Sequence, residues 1–148
     1  MPFVGVVGKD GHEVEKELNR MSGGKAECLN INNDENELDI LVVSEGSPVL
    51  TKAIPKLSKS GYLVVNADDK TIFPYIVPAN AKVVTYGFNN KACITASSIS
   101  DDSLQICIQR GFTALDGAIK DPQEFSAISG VASPEATLGA AAAWVICQ

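Results

Sequence analysis

The 148-residue sequence predicts one α/β domain. In it, a Rossmann-like, mostly parallel sheet with helices on both faces is followed by antiparallel hairpin strands and a C-terminal alanine-rich helix. Two patterns predict this class. Through residues 1–88, short runs that are apolar at nearly every position alternate with segments of helical period, as in buried parallel strands joined by crossover helices. Through residues 89–130, apolar and polar residues alternate between turn residues, as in hairpins. The chain length suits a single hydrophobic core.

The parallel part begins with an apolar strand, a turn that contains glycine, and a helix. Val14, Leu18 and Met21 recur at helical spacing, which predicts a helix over residues 13–21 with one apolar face against the sheet. Gly23, the first of two glycines, is placed to end this helix. The strands expected in this part are residues 3–7 (FVGVV), 26–31 (AECLNI), 38–43 (LDILVV), 62–67 (YLVVNA) and 82–88 (KVVTYGF).

Two further helices are expected between these strands. Leu50, Ile54 and Leu57 lie at steps of four and three, so a single helix is predicted within residues 47–61. Pro55 falls inside it and marks either a kink or a helix start one turn later. The segment KTIFPYIV, residues 70–77, is expected to form a short helix.

The second part is expected to contain hairpins and a helix. Strands are predicted at ACITASSI (residues 92–99), SLQICIQ (103–109), FTALDGAI (112–119) and EFSAIS (124–129), with ISDDS and RG as turns. A helix is predicted over residues 133–147. Ser133 is its expected N-cap, Pro134 its first helical residue, and Glu135 lies in its first turn.

Composition excludes several classes of protein. Four cysteines with no CxxC pair, together with one histidine, argue against a structural zinc site. The apolar contexts of the cysteines indicate buried free thiols, the alternative being catalytic or bridged ones. A net charge of −6 without a basic, aromatic-rich cluster argues against a nucleic-acid partner, and the acidic runs are interpreted as solvated loops.

The expected location is the cytoplasm. The sequence has no signal-peptide pattern at its N-terminus, and its longest apolar run is about half the length that a bilayer span requires. No membrane partner is therefore expected. The initial methionine and the final helix suggest a complete small protein.

Several segments resemble the central, ATP-binding domain of the Mur ligases and their folylpolyglutamate synthetase relatives. The most specific are YLVVNADD (residues 62–69), AKVVTYGF (81–88) and ACITASSI (92–99), which follow one another in the family's order and spacing. FVGVVGKDG is similar to the family's first strand and phosphate loop, and ISGVASPEATLGAAAAW to its alanine-rich helix, with Gly130 at the family's glycine. The resemblance implies an α/β fold derived from enzymes that form amide bonds with ATP.

The family's catalytic residues are replaced. Gly8 and Gly11 keep the glycine spacing of the loop G-x-x-G-K-(T/S), but His12 stands at the lysine position and Glu13 at the hydroxyl position. The family's magnesium-binding glutamate is expected at the position of Val42, which is apolar. Glu45, three positions further on, would lie beyond the strand end. Ala132 and Ser133 replace a His-Asn pair, and the long insertion that carries a histidine and a modified lysine is absent. The sequence therefore predicts no bound metal and no MgATP-dependent catalysis.

Seven residues remain candidates for contacts with a nucleotide or anion: Gly8, Lys9, Gly11, His12, Asn66, Asp68 and Asp69. Each has a structural alternative. The glycines suit a tight turn, and Lys9 reaches an anion only by swinging towards it. The Asn and Asp side chains suit a turn and a helix cap, and His12 lies at a helix start with no nucleophile paired to it.

Two hypotheses about function follow. The first is a non-catalytic module, regulatory or binding, with a protein partner or a second copy of itself in cell-wall or related metabolism. It predicts no nucleotide affinity and an exposed apolar patch. The second is a weak adenine-nucleotide-binding protein or enzyme that uses the carboxyl edge of the sheet. It predicts saturable binding that is lost in Asn66→Ala or Asp69→Ala. No cofactor is expected, with ATP as the alternative.

Overall fold

The computed structural model describes residues 2–32, 36–128 and 132–148 and has the α/β class that the sequence predicts. Within these ranges the strands are β1 (Phe3–Val7), β2 (Glu27–Cys28), β3 (Leu38–Val43), β4 (Leu57–Asn66), β5 (Lys82–Tyr86), β6 (Ile94–Ile99), β7 (Ser103–Ile108), β8 (Phe112–Thr113), β9 (Ile119–Lys120) and β10 (Gln123–Ile128). Eight of them form one sheet in the order β10-β7-β6-β5-β4-β3-β1-β2. Strands β1 to β6 run parallel, and β7 and β10 are antiparallel to their neighbours.

Helices cover both faces of the sheet. They are α1 (Gly11–Ser22), α2 (Leu50–Ala53), α3 (Phe73–Ile76) and α4 (Pro134–Cys147). On one face, α1 and α4 enclose a core with the inward side chains of the strands, for example Val14, Leu18 and Ile106. On the other face, Leu50 of α2 and residues around α3 pack over Leu41 and Leu63. Because β3 and the centre of β4 contribute to both cores, their apolar side chains are buried on both faces.

The end of α1 and the start of α4 are as the sequence predicts. Gly23 takes a left-handed conformation with φ +62°, and its N–H donates to the carbonyl of Arg20. Ser133 caps α4, since its Oγ accepts a hydrogen bond from the backbone N–H of Ala136 at 3.2 Å. Helix α4 is buried from Ala136 to Ala143 because it packs against both α1 and the sheet.

The single helix predicted within residues 47–61 is wrong. Helix α2 ends at Ala53, a 3₁₀ turn follows at Ile54–Lys56, and Leu57 already begins β4. Pro55 explains the early end, because proline has no N–H to donate and its ring clashes with the preceding helical turn. The helix expected at residues 70–77 is likewise a 3₁₀ turn, Lys70–Ile72, followed by the single turn of α3.

The strand predicted at FTALDGAI is also wrong. The segment folds back on itself, so that β8 and β9 form a separate two-stranded sheet. Asp116 and Gly117 supply the turn: the Asp116 carboxylate accepts the N–H of Ala118 at 2.9 Å, and Gly117 has φ +90°. An Asp-Gly pair is a strong signal for a hairpin turn, and the prediction of one continuous strand overlooked it. The hairpin is tied to α4 by a bond from the N–H of Leu115 to the carbonyl of Ile146.

Several other expectations have a definite outcome. The strand expected over residues 26–31 is confined to β2. The loop between β6 and β7 is solvated as expected, with Asp101 and Asp102 exposed. The acidic residues Asp34 and Glu35, the strand end at Ser129 and the family-matched Gly130 lie outside the described residues. Among the described helices, none is both long enough and apolar enough to cross a membrane.

Candidate functional site

The strand order creates a crevice at the carboxyl ends of β1 and β3. The chain leaves β1 towards β2 on one side and then returns past β1 to β3 on the other, so the two connections diverge at this point. Open α/β sheets bind ligands at such switch points. Two clefts, of about 580 and 620 Å³, meet here, and Lys9 and Glu45 line both of them. The fold therefore places the loop after β1 in the position expected of a binding site.

The turn after β1 is held together by close backbone contacts. Gly8 has φ +138°, and a Cβ at this position would lie 1.6 Å from the Oγ of Ser44. The backbone N–H and the Oγ of Ser44 both donate to the carbonyl of Val7, at 2.9 and 3.2 Å. The N–H of Gly11 donates to the carbonyl of Gly8 at 3.1 Å, so one amide at the helix start is already engaged. This geometry supports the structural interpretation of both glycines.

The 620 Å³ cleft is strongly acidic. Five carboxylates line it against a single lysine, Lys9; they belong to Asp10, Glu13, Glu45, Asp69 and Glu135. Oδ1 of Asp10 is buried and has no hydrogen-bond partner within the described residues. Negative side chains at the start of α1 compete with a phosphate for the positive end of the helix dipole. The cleft therefore opposes the binding of a polyphosphate.

His12 lines neither of the two clefts that meet at the crevice. It lies exposed at the second position of α1 and lines a neighbouring cleft with Glu15 and Cys28, which also line the 580 Å³ cleft. Burial raises the pKa of Glu15, and the nearby His12 partly opposes that rise. Of the predicted site residues, Gly8, Lys9, Asn66 and Asp69 thus line the two clefts, and His12 lines the adjoining one. In the described part of the chain, no group of three or more metal-binding side chains is arranged to hold a metal ion.

The side chains of the Asn-Ala-Asp-Asp turn make hydrogen bonds within the protein. Oδ1 of Asn66 accepts the N–H of Asp68 at 3.0 Å, and its Nδ2 donates to the carbonyl of Ser44 at 3.2 Å. Asp69 caps the 3₁₀ turn by accepting the N–H of Thr71 at 2.9 Å. Hydrogen bonds from Thr71 are the main reason that the pKa of Asp69 is lowered, and Lys9 adds to the effect.

Asp68 fixes the loop that follows β5. Its carboxylate accepts the N–H of Phe88 at 2.7 Å, and the N–H and Nδ2 of Asn89 at 3.2 and 2.7 Å. All three polar side chains of the turn therefore have structural roles, as the capping interpretation expects. Their contacts with a nucleotide stay a prediction.

A third cleft, of about 580 Å³, opens beside this loop. Its lining includes Asp68, Phe73 and Asn90, with Lys70 and Lys91 at its rim. The sequence analysis did not single out Phe73, Lys70 or Lys91. The available signal was the helical pattern of residues 70–77, in which Ile72 and Ile76 face the core and Phe73 does not.

Two further residues at the site were not among the predicted contacts. Glu45 lies two residues after β3, beyond the strand end as the sequence analysis expects, and the rule that ligands bind at the carboxyl edge could have indicated it. Glu135 reaches the same cleft from the start of α4. No sequence pattern connects it to β1, because the packing of α4 beside α1 brings them together.

The four cysteines are free thiols, as expected, but each is half-buried rather than fully buried. Burial raises the pKa of Cys28 to about 11 and that of Cys147 to about 12, and it also raises the pKa of Cys93. Thiols with raised pKa values carry little thiolate at neutral pH and are poor nucleophiles.

No model of a known protein family and no curated protein matches the chain. Its fold is similar to that of a solved structure, the UDP-N-acetylmuramoylalanyl-D-glutamyl-2,6-diaminopimelate–D-alanyl-D-alanyl ligase from Acinetobacter baumannii, with a TM-score of 0.58 and 9% sequence identity. The match covers 99% of this chain and 43% of the ligase, so the chain spans less than half of the ligase's length. The α/β architecture is therefore like that of a Mur ligase.

Proposed function

We propose that this chain is a Mur-ligase-like domain that has lost phosphoryl-transfer chemistry. It serves in the cytoplasm as a binding or regulatory module of bacterial cell-wall or related amide-ligase metabolism. The similarity of fold to a Mur ligase supports the ancestry. The order of the YLVVNADD, AKVVTYGF and ACITASSI segments supports it independently, because it rests on sequence alone.

One observation carries the loss of catalysis: Glu13, in the first turn of α1, lines an acidic cleft in which Lys9 is the one cation among the described residues. Phosphoryl transfer depends on positive charge around the transferred phosphate, supplied by a lysine and by metal ions. Here His12 stands at the lysine position and lines neither of the two clefts at the loop after β1, and Glu13 stands at the hydroxyl position. Val42, at the position of the magnesium-binding glutamate, is fully buried and has no atom that could ligate a metal. The cleft thus has the wrong charge for the reaction.

The second candidate function is weak binding of an adenine nucleotide at the carboxyl edge. The cleft beside the loop after β5 favours it, because Phe73 offers an aromatic face and Asn90 an amide. On this hypothesis, binding saturates and is lost in Asn90→Ala. Asn66 and Asp69, at which the sequence predicts the same loss, line the acidic cleft instead.

Thermal unfolding with millimolar ATP or ADP, each with and without magnesium, tests the proposal. A ligand that binds only the folded protein raises Tm, and the rise grows with the logarithm of the ratio of ligand concentration to Kd. The proposed module shows the same Tm in every buffer once ionic strength is matched. A rise in Tm with ATP that grows with magnesium would overturn the proposal, and a rise with ADP that is abolished in Asn90→Ala would favour the second candidate.

A further inference from the structure

A stripe of exposed basic and apolar side chains runs along the 3₁₀ turn Lys70–Ile72 and α3. Lys70, Phe73 and Val77 lie at positions i, i+3 and i+7, and the N–H of Val77 donates to the carbonyl of Phe73 at 3.0 Å, so helical geometry continues to Val77. The three side chains therefore share one face. Phe73 is 39% exposed and Val77 is 79% exposed. Large apolar side chains exposed one helical turn apart suggest a surface that is covered by something else.

Positive charge flanks this stripe in a protein whose net charge is −6. Lys70 and Lys91 stand at the rim of the cleft that Phe73 lines, and within the described residues neither ammonium group makes an ion pair. The acidic residue of the cleft, Asp68, has its carboxylate engaged by Phe88 and Asn89. The guanidinium of Arg110 donates to the carbonyl of Lys91 at 2.9 Å and adds a third cation nearby.

We infer that this surface, the Phe73 patch formed by Lys70, Phe73, Val77 and Lys91, docks a segment of a partner protein in which acidic and apolar residues are mixed. Acidic side chains would meet the two lysines, and apolar ones would cover Phe73 and Val77. The inference rests on the proposed function, because it names the surface and the kind of partner of the binding module.

The dimensions and charge favour this occupant over two others. From Lys70 to Val77 the stripe extends about 10 Å along the helix axis, beyond the cleft itself, so a small planar ligand would leave Val77 uncovered. A symmetric dimer through the same patch would bring four lysines into one interface without a carboxylate to pair with them, since an isologous interface joins a surface to a copy of itself. A different chain with an acidic, apolar segment satisfies both features.

Selection of short random peptides on the immobilised protein tests the inference. The expected pool is enriched in acidic and apolar residues. A selected peptide, labelled with fluorescein, is then measured by anisotropy against wild type and the double variant Lys70→Glu/Lys91→Glu. The reversal is expected to weaken binding on the order of tenfold, and added salt to weaken wild-type binding.

Two matched controls separate the patch from general effects. Lys16→Glu/Lys52→Glu makes the same change of net charge at exposed lysines elsewhere and should leave binding unchanged. Val77→Ser should weaken binding, whereas Ile119→Ser, at a residue that is 72% exposed on β9, should not. Because all these side chains are exposed, their Tm values should match that of wild type.

Three results would overturn the inference. The first is a selected peptide pool that is not enriched in acidic residues, and the second is an equal loss of peptide affinity in Lys70→Glu/Lys91→Glu and in Lys16→Glu/Lys52→Glu. The third is a wild-type dimer in analytical ultracentrifugation that Lys70→Glu/Lys91→Glu dissociates. Loss of ADP binding in that variant would make the cleft a nucleotide site instead. Thermal unfolding with MgATP does not depend on the Phe73 patch. The proposed docking surface can therefore be disproved while the proposed loss of phosphoryl-transfer chemistry stands.

Discussion

The hydroxyl group of Ser44, at the end of β3, occupies the space beside Gly8 in which any other residue would place its Cβ. The two positions directly follow the neighbouring strands β1 and β3, and the separation from an added Cβ to Ser44 Oγ is 1.6 Å. Ser44 also closes the turn by donating to Val7. The contact with Ser44 is therefore a sufficient reason for glycine at position 8.

Gly8→Ala should destabilise the protein by about 3 kcal/mol, because it adds a steric clash to a backbone conformation that alanine rarely adopts. Gly24→Ala is the matched control. Gly24 also has a positive φ, +81°, but nothing lies within 4 Å of its added Cβ, so only backbone strain of about 1 kcal/mol is expected. Urea unfolding measures both values. Equal effects of the two substitutions would show that the contact with Ser44 is not what selects glycine.

Asp68→Ala should loosen the loop after β5, because three donors of Phe88 and Asn89 lose their acceptor. The expected cost is about 1 to 2 kcal/mol. Hydrogen exchange is the sharper measurement: the amides of Phe88 and Asn89 should exchange faster, whereas Asp101→Ala, at an exposed aspartate in the β6–β7 loop, should leave them unchanged. Unaltered exchange in Asp68→Ala would contradict the structural role of this side chain.

Stability should fall as the pH rises above 9. In the unfolded chain the thiols titrate near pH 9.0, but in the folded protein Cys28 titrates near 11 and Cys147 near 12. A folded-state pKa raised in this way contributes stability that is complete below the unfolded value and is lost as the pH rises towards the folded value. The raised pKa values of Tyr62 and Tyr86 add a similar loss above their ordinary value of 10.0.

The variant Cys28→Ala/Cys147→Ala isolates the contribution of the thiols. Above pH 9, its free energy of unfolding should change less with pH than that of wild type, because the contribution of the tyrosines is the same in both proteins. Parallel curves for the two proteins in this pH range would show that the thiols titrate alike in the folded and unfolded states.

Most of the sheet could be predicted from sequence because its strands are buried on both faces. LDILVV and YLVV are apolar at almost every position, and Ser133-Pro134-Glu135 marks the start of α4. The errors arose where local chemistry competed with periodicity. Apolar spacing around Leu50 favoured a long helix that Pro55 does not permit, and alternation in FTALDGAI concealed the Asp116-Gly117 turn.

The site was only partly accessible to sequence reasoning. Gly8 follows β1 and Asn66 ends β4, so the carboxyl-edge rule finds them. The acidity of the cleft depends on Glu135, which is far from Gly8 in sequence and is brought there by the packing of α4. Which cleft His12 lines depends on the side of α1 on which it lies. Matching the loop to the family's motif does not show that side.

Isothermal titration calorimetry of the purified protein with ATP, with and without magnesium, examines the loss of phosphate chemistry most directly. An acidic cleft that contains Glu13, Glu45 and Glu135 predicts no saturable heat up to millimolar ATP in either buffer. Saturable heat that becomes larger and tighter with magnesium would contradict this prediction, because it would mean that the loop from Gly8 to Glu13 still holds a metal-bound triphosphate.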